Sequence, residues 1–546
     1  MFGTSISKVI TCFFKVVVLK IKVMKTKPFI LLSLLLAALV INLETTMVNV
    51  ALPTLVRELH ATDTQLQWVV DTYNLVFAAL LLTAGSLSDR FGRKGWLLAG
   101  LAVFGVSSVA GGLSTSVGAL VATRAFMGFG AAMIFPPTLS LISNVFVERK
   151  ERAQAIGLWG ATIGVAVATG PIVGGWLLQH YSWNSVFYAM GPVAAFTFAM
   201  VSLSVPTSRH PVAGRLDVPG FALSGTAMAL IVYTLIEAPT YGWSSVRSLS
   251  GYLGFLVLAV GFVVWERRID HPMLDVSIFK NLRFSAASGS VAIAFFGLFG
   301  FSFLIVQYFQ FLQGWSALST GVHLLPIAFA VGAGSIVGTQ LAVRAGTKAI
   351  VTAGLLMVTA FYVWIALVNE PTTSYAVIAS QMVLGGIGLG FTSAPATESV
   401  MGAVSINHAG VGSAVNDSTR LVGGTLGVAV IGSVFTSVFS GDIGHHLTSS
   451  ANLAFGSAVR QSAGSAFAIS QKLTEGGQRA LGAQIHRVAT DAFIHGLHVG
   501  CIVAACVAGA GVVLAAVFLP AQPLILAVDL EFGLVEQLDS SPVSLA

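Results

Sequence analysis

Charge is scarce in this chain. Only 9% of its 546 residues are charged, while 55% are hydrophobic; an ordinary soluble domain carries about 25% charged residues. With a mean hydropathy of +0.86, the composition excludes a soluble globular protein and implies a lipid bilayer as the principal surroundings. Cysteine is scarcer still, with three residues. Cys12, Cys501 and Cys506 are too few and too poorly spaced for a disulfide framework or a thiolate metal site. The eleven histidines form no metal-ligating pattern; His445 and His446, with His486, His495 and His498, come nearest to a cluster. No G-x-x-x-x-G-K-[ST] loop is present, which argues against direct drive by a nucleotide triphosphate. No nucleophile, base or metal ligands converge at usable spacing, so enzymatic chemistry is not expected. The basic residues are scattered through short loops rather than gathered in a patch, so the pI near 9.3 reads as membrane orientation, not as nucleic-acid binding.

Long apolar runs are abundant. A membrane helix needs about 20 apolar residues. Runs of that kind fall at about 29–50, 68–88, 95–113, 117–142, 155–178, 184–206, 217–237, 250–265, 284–305, 321–343, 349–368, 375–396, 415–439 and 498–520. Fourteen spans place both termini on one side. On that side 21 Lys and Arg residues accumulate, against six on the other, and Arg124 alone lies inside a span. The asymmetry predicts cytoplasmic termini in a multi-pass cell-membrane protein. The lysine-rich start followed by an apolar run resembles a signal peptide, but no small-residue cleavage site follows, and the run is read as an uncleaved first helix.

Between the second and third runs stands GSLSDRFGRK, residues 85–94. Gly85 and Gly92 allow a sharp turn and close helix approach, while Asp89, Arg90, Arg93 and Lys94 crowd it with charge. Shifted by 254 residues, DRFGRKGWLLAGL aligns with VRAGTKAIVTAGL: Arg90 meets Arg344, Gly92 meets Gly346, and Lys94 meets Lys348. Val343 stands where the acid should be. The echo predicts two parallel six-helix halves with an inserted pair. The expected division is a basic tail 1–28, a first bundle 29–206, an insertion 207–282, a second bundle 283–520 and a tail 521–546. The segment 441–497, rich in Gly, Ser and Ala, is expected to form a mobile extracytoplasmic cap.

The pattern G-x-L-x-D-R-x-G-R-K resembles the loop between helices 2 and 3 of the major facilitator superfamily. INLETTMVNVALP resembles the first-helix motif of its fourteen-helix drug:proton antiporters, with Glu44 in place of the usual aspartate. A carboxyl in hydrocarbon is costly and marks a functional site by default; the structural alternative is a glutamate satisfied by Thr45, Thr46 or Asn49. RAFMGFGAA resembles the fourth-helix motif, so Arg124 must face protein or water, as a tuner of a carboxylate or as a static ion pair. Asp71, in WVVDTYNLVF, is expected near the extracytoplasmic face, either as a proton or cation site or as a solvated helix end. GATIGVAVATGPIVGG resembles the antiporter motif of helix 5, with Gly160, Gly164, Gly170, Pro171, Gly174 and Gly175 on a small-residue face. QYFQFLQGWSALSTGVHLLP resembles the family's loop between helices 9 and 10, apart from His323. GVGSAVNDSTRLVGGTLGVAV resembles its thirteenth-helix entry and includes Asp417 and Arg420. WNSVFYAMGP departs from the family pattern, with Asn184 and Ser185 replacing Arg and Trp.

The resemblance implies an all-α integral membrane protein of the major facilitator fold: two six-helix bundles plus two inserted helices. It implies a monomeric efflux carrier that exchanges a small amphipathic or cationic substrate against protons, with no cofactor beyond the proton gradient. Glu44, Asp71 and Arg124 would couple the proton, and Asp89, Arg90 and Arg93 would latch the cytoplasmic side. An uptake symporter and a ligand sensor are the competing readings.

Overall fold

The computed structural model describes residues 26–208, 217–269, 272–403, 409–446 and 459–521. Most of the expected N-terminal tail, almost all of the C-terminal one, the basic segment 209–216 and residues 447–458 of the expected cap lie outside these.

Sixteen α-helices are seen among the described residues. The first bundle is built from α1 (Lys27–Leu59), α2 (Asp63–Phe91), α3 (Arg93–Gly112), α4 (Val117–Val145), α5 (Arg149–His180) and α6 (Asn184–Ser204). The inserted pair is α7 (Val218–Tyr241) and α8 (Val246–Glu266). A 3-10 turn at Val276–Lys280 leads into α9 (Leu282–Gln307), which continues through a π turn. Then follow α10 (Ala317–His323), α11 (Leu325–Ala345), α12 (Thr347–Val368), α13 (Tyr375–Gly402), α14 (Ala409–His446), α15 (Ala463–Glu475) and α16 (Arg479–Phe518). Among the described residues, thirteen helical spans are long and apolar enough to cross a membrane, and the bent α2 makes fourteen; α10 and α11 run on as one span.

Local chemistry sets the helix ends. Thr62 and Gln65 form a reciprocal capping box at the start of α2, and the hydroxyl of Ser116 accepts the Ala119 N–H at the start of α4. The paired turns of the sequence echo share one geometry. Gly92, between α2 and α3, has φ 104°, and Gly346, between α11 and α12, has φ 86°. Only glycine adopts that conformation without strain.

Within the first bundle α1 lies along α5, and α4 along both α2 and α3; in the second, α13 lies along α11 and α12, and α9 along α14. Helix α7 rests against both α2 and α14, one from each bundle. Leu75 packs there with Val232, Ile236 and Ala429, and the Trp68 indole N–H donates to Glu237 at 3.1 Å. Helix α8 leans on α7 and exposes Leu253, Leu256, Val257 and Val260, an apolar face that fits lipid.

The expected cap is different in kind. Helix α14 runs on to His446, α16 begins at Arg479, and α15 stands between them. Small residues allow close packing here: a Cβ on Gly464 would strike Val56 and Phe311, and one on Gly482 would strike Thr474 and Ser470. Composition alone suggests a loose segment because glycine and serine serve helix contacts and coils equally well.

Candidate functional site

Glu44 and Arg124 meet in the interior of the first bundle. They lie 80 residues apart in sequence, yet Arg124 Nη1 donates to Glu44 Oε1. Neither is exposed: Glu44 is at 0% and Arg124 at 1%. The guanidinium also donates through Nε to the Val69 carbonyl at 2.8 Å and lies 4.5 Å from the centre of the Tyr73 ring. Tyr73 is fixed in turn by its hydroxyl, which donates to the Ile41 carbonyl at 3.2 Å. Three helices therefore hold one ion pair. Thr45 and Thr46 are not the partners of the carboxylate; their hydroxyls donate to backbone carbonyls, of Ile41 for Thr45 and of Asn42, Leu43 and Ala166 for Thr46. Glu44 Oε2 has no hydrogen-bond partner among the described residues.

Asp71 is fully buried inside α2, not solvated at a helix end, because the helix starts eight residues earlier, at Asp63. Among the described residues, both of its carboxyl oxygens are unpartnered, as are both polar atoms of the Asn74 side chain.

The glycines of α5 divide into two sets. A Cβ on Gly170 would overlap Thr46, and one on Gly174 would press on Met47, so both belong to the contact between α1 and α5. Gly175 faces the second bundle, where a Cβ would come within 2.6 Å of the Ala317 carbonyl oxygen and of Leu318 Cα. Gly321 answers from the other side, against the backbone of Pro171 and Ile172. Gly160 and Gly164 have no neighbour within 4 Å of a built Cβ.

Polar contacts between the bundles gather at the end remote from Gly92. Gln310 donates to the Val50 carbonyl at 3.0 Å. Ser433 donates to Gln67 Oε1 at 3.0 Å, and the Ala463 N–H donates to Asp63 Oδ2 at 3.1 Å. At the Gly92 end, the charges of the loop bond within the first bundle. Arg93 donates to Asp89 at 2.6 Å and to Ser208 at 3.3 Å, and Lys94 to the Ser202 carbonyl at 2.8 Å; Arg90 is exposed beside Phe91. Gly85 makes only ordinary contact with Pro136. In the second bundle Arg420 lies 3.8 Å from Asp417 and donates to Thr397 at 2.9 Å.

Other polar residues have structural settings. His323 lies tilted against the Trp315 ring and meets Tyr375 edge-on. His495 pairs with Asp442, and His498 bonds the Asn369 carbonyl; no metal-holding group of His, Cys, Asp and Glu occurs among the described residues. Asn184, at the departure from the family pattern, donates to the Gly112 carbonyl. Sequence reasoning missed Asp63 and Glu237, because acids near the ends of apolar runs look solvated.

Two helical bundles sealed at one end and carrying a buried ion pair have the architecture of a membrane transporter, not an enzyme. Residues 34–428 match the model of the Major Facilitator Superfamily, and the chain belongs to that family. It is 33% identical to the multidrug resistance protein Stp of Mycobacterium tuberculosis, over 78% of each chain. With the tetracenomycin C resistance and export protein of Streptomyces glaucescens it shares 34% identity, over 74% of this chain and 76% of that one. With the multidrug efflux pump LfrA of Mycolicibacterium smegmatis it shares 33%, over 77% and 83%. The fold is also that of a bacterial homologue of the human lysosomal transporter Spinster, solved in an inward-facing, unoccupied conformation: TM-score 0.65, 17% identity, covering 90% of this chain and 98% of that one.

Proposed function

We propose that this protein is an efflux carrier that exports small amphipathic or cationic compounds in exchange for protons, from a cell membrane with both termini cytoplasmic. The observation that carries the reading is the Glu44–Arg124 pair with one carboxylate oxygen unpartnered. A buried carboxylate is held by its cation or by a proton. A group with both options can exchange one for the other as the bundle moves, and a cationic substrate can compete for the same carboxylate. The names of the relatives, which concern drug resistance and export, support outward transport over uptake, as does the glycine–proline pattern of α5. The basic residues around the Gly92 end support a cytoplasmic location for it, and on that reading the molecule is closed to the outside. Rocking about the seam of α5 with α10 would expose the site alternately to each face, with Asp71 as a second acidic group and the loop at Asp89, Arg90 and Arg93 as the cytoplasmic latch.

The test is substrate-induced proton movement in proteoliposomes, wild type against Glu44→Gln, over cationic, neutral and lipid-like compounds. Loss of proton movement with retained substrate binding supports the assignment. Unchanged coupling in the variant removes Glu44 from the mechanism.

A further inference from the structure

Away from the ion pair, two acids meet where the inserted helices join the rest of the chain. Asp217 caps the start of α7 and Glu266 ends α8, and they are 7% and 3% exposed. One oxygen of each is satisfied. Asp217 Oδ1 accepts the Gly220 N–H at 2.9 Å and the Trp265 indole N–H at 2.8 Å, and Glu266 Oε2 accepts the Leu274 N–H at 3.1 Å. The other oxygens, Asp217 Oδ2 and Glu266 Oε1, have no donor among the described residues. Both crowd the same spot: a Cβ on Gly220 would strike Asp217 Oδ2 and lie 2.6 Å from Glu266 Oε1, so the two oxygens are neighbours.

Two carboxylates are acceptors only, so facing oxygens repel unless one of them carries a proton. No cation offsets the repulsion among the described residues. From α7 the pair meets the Gly220 N–H, from α8 the Trp265 indole, and from the linker the backbone N–H of Leu274; among the described residues, the charged group facing each acid is the other acid. The contacts tie together three pieces of chain: the start of α7, the end of α8 and the linker that leads into α9.

We propose that Asp217 and Glu266 hold one shared proton, a binding site separate from the Glu44 core, which clamps both ends of the inserted pair to the linker and releases the linker when the proton leaves. The site takes a proton as its ligand, on the face that carries the Gly92 loop, so the joint between insertion and second bundle responds to pH on that face. This stands independently of the transported compound and of the role of Glu44.

The test is hydrogen exchange of the linker amides at 273–276 in the full-length protein in lipid nanodiscs, followed from pH 6 to 9 and corrected for intrinsic exchange. A one-proton clamp predicts that wild-type protection falls with rising pH, by at most about tenfold per pH unit. Glu266→Gln replaces the shared proton with an amide N–H donor while keeping an oxygen for Leu274, so its protection should persist and stay flat with pH. Asp217→Asn is the second isostere and should behave alike. Glu266→Ala should lose protection at every pH. Wild-type protection that is flat with pH, or isosteres that titrate as the wild type does, would overturn the proposal.

Discussion

Gly175→Ala should unseal the far end of the transporter without unfolding it. The added methyl would lie 2.6 Å from the Ala317 carbonyl oxygen and from Leu318 Cα, roughly 0.8 Å inside ordinary van der Waals contact. These neighbours are backbone, so no rotamer change relieves the clash. Overpacking of this kind costs about 1–3 kcal/mol. Because the contact joins two bundles rather than two helices of one bundle, the cost falls on the closed state alone. A bias of that size changes the ratio of closed to open molecules by about 5- to 150-fold. The reporter is Thr320→Cys, buried at the same seam, in a background without native cysteines and labelled by a membrane-impermeant maleimide from the far side. Labelling should accelerate by about fivefold or more, the lower bound of that bias. Gly160→Ala is the internal control, since its methyl meets nothing within 4 Å. Equal labelling rates in the two variants would refute the assignment of Gly175 to a moving seam.

Arg124→Ala should destabilise the first bundle by about 3–5 kcal/mol, because it strands a buried carboxylate, and adding Glu44→Gln should restore part of the loss in thermal unfolding. Asp89→Asn breaks a half-exposed pair with Arg93, so stability should change by less than about 1 kcal/mol while transport falls; equal losses in both would make the loop a folding element instead of a latch. Asp63→Ala leaves the Ala463 N–H without its acceptor at a cost of about 1–3 kcal/mol, and amide exchange in α15 should quicken; unchanged exchange would show that the cap does not depend on Asp63. Gly170→Val, which drives a side chain into Thr46 within the first bundle, should lower folded yield instead of shifting labelling at Thr320→Cys.

Much of the molecule was legible in one dimension because lipid enforces a simple rule. Helix after helix must be apolar for about 20 residues, so the fourteen runs could be counted, and the turns at Gly92 and Gly346 announced themselves by glycine amid charge. The polar residues left inside those runs, Glu44, Asp71 and Arg124, were conspicuous for the same reason. The segment 441–497 misled, since its small residues are as suited to the close contacts of α15 and α16 as to a coil.

The sequence by itself thus determined the spans, the duplicated glycine turn and the residues too costly to bury without purpose. Tertiary structure alone decided their partners. Arg124 reaches Glu44 across 80 residues; the α5 glycines separate into contacts within the first bundle, a contact across to the second and open positions; and Asp217 finds Glu266 through the pairing of α7 with α8. Spacing along a helix fixes which side chains share a face, but it carries no information about which other helix that face will meet. That choice belongs to packing among helices, where small residues and buried charges select neighbours by fit.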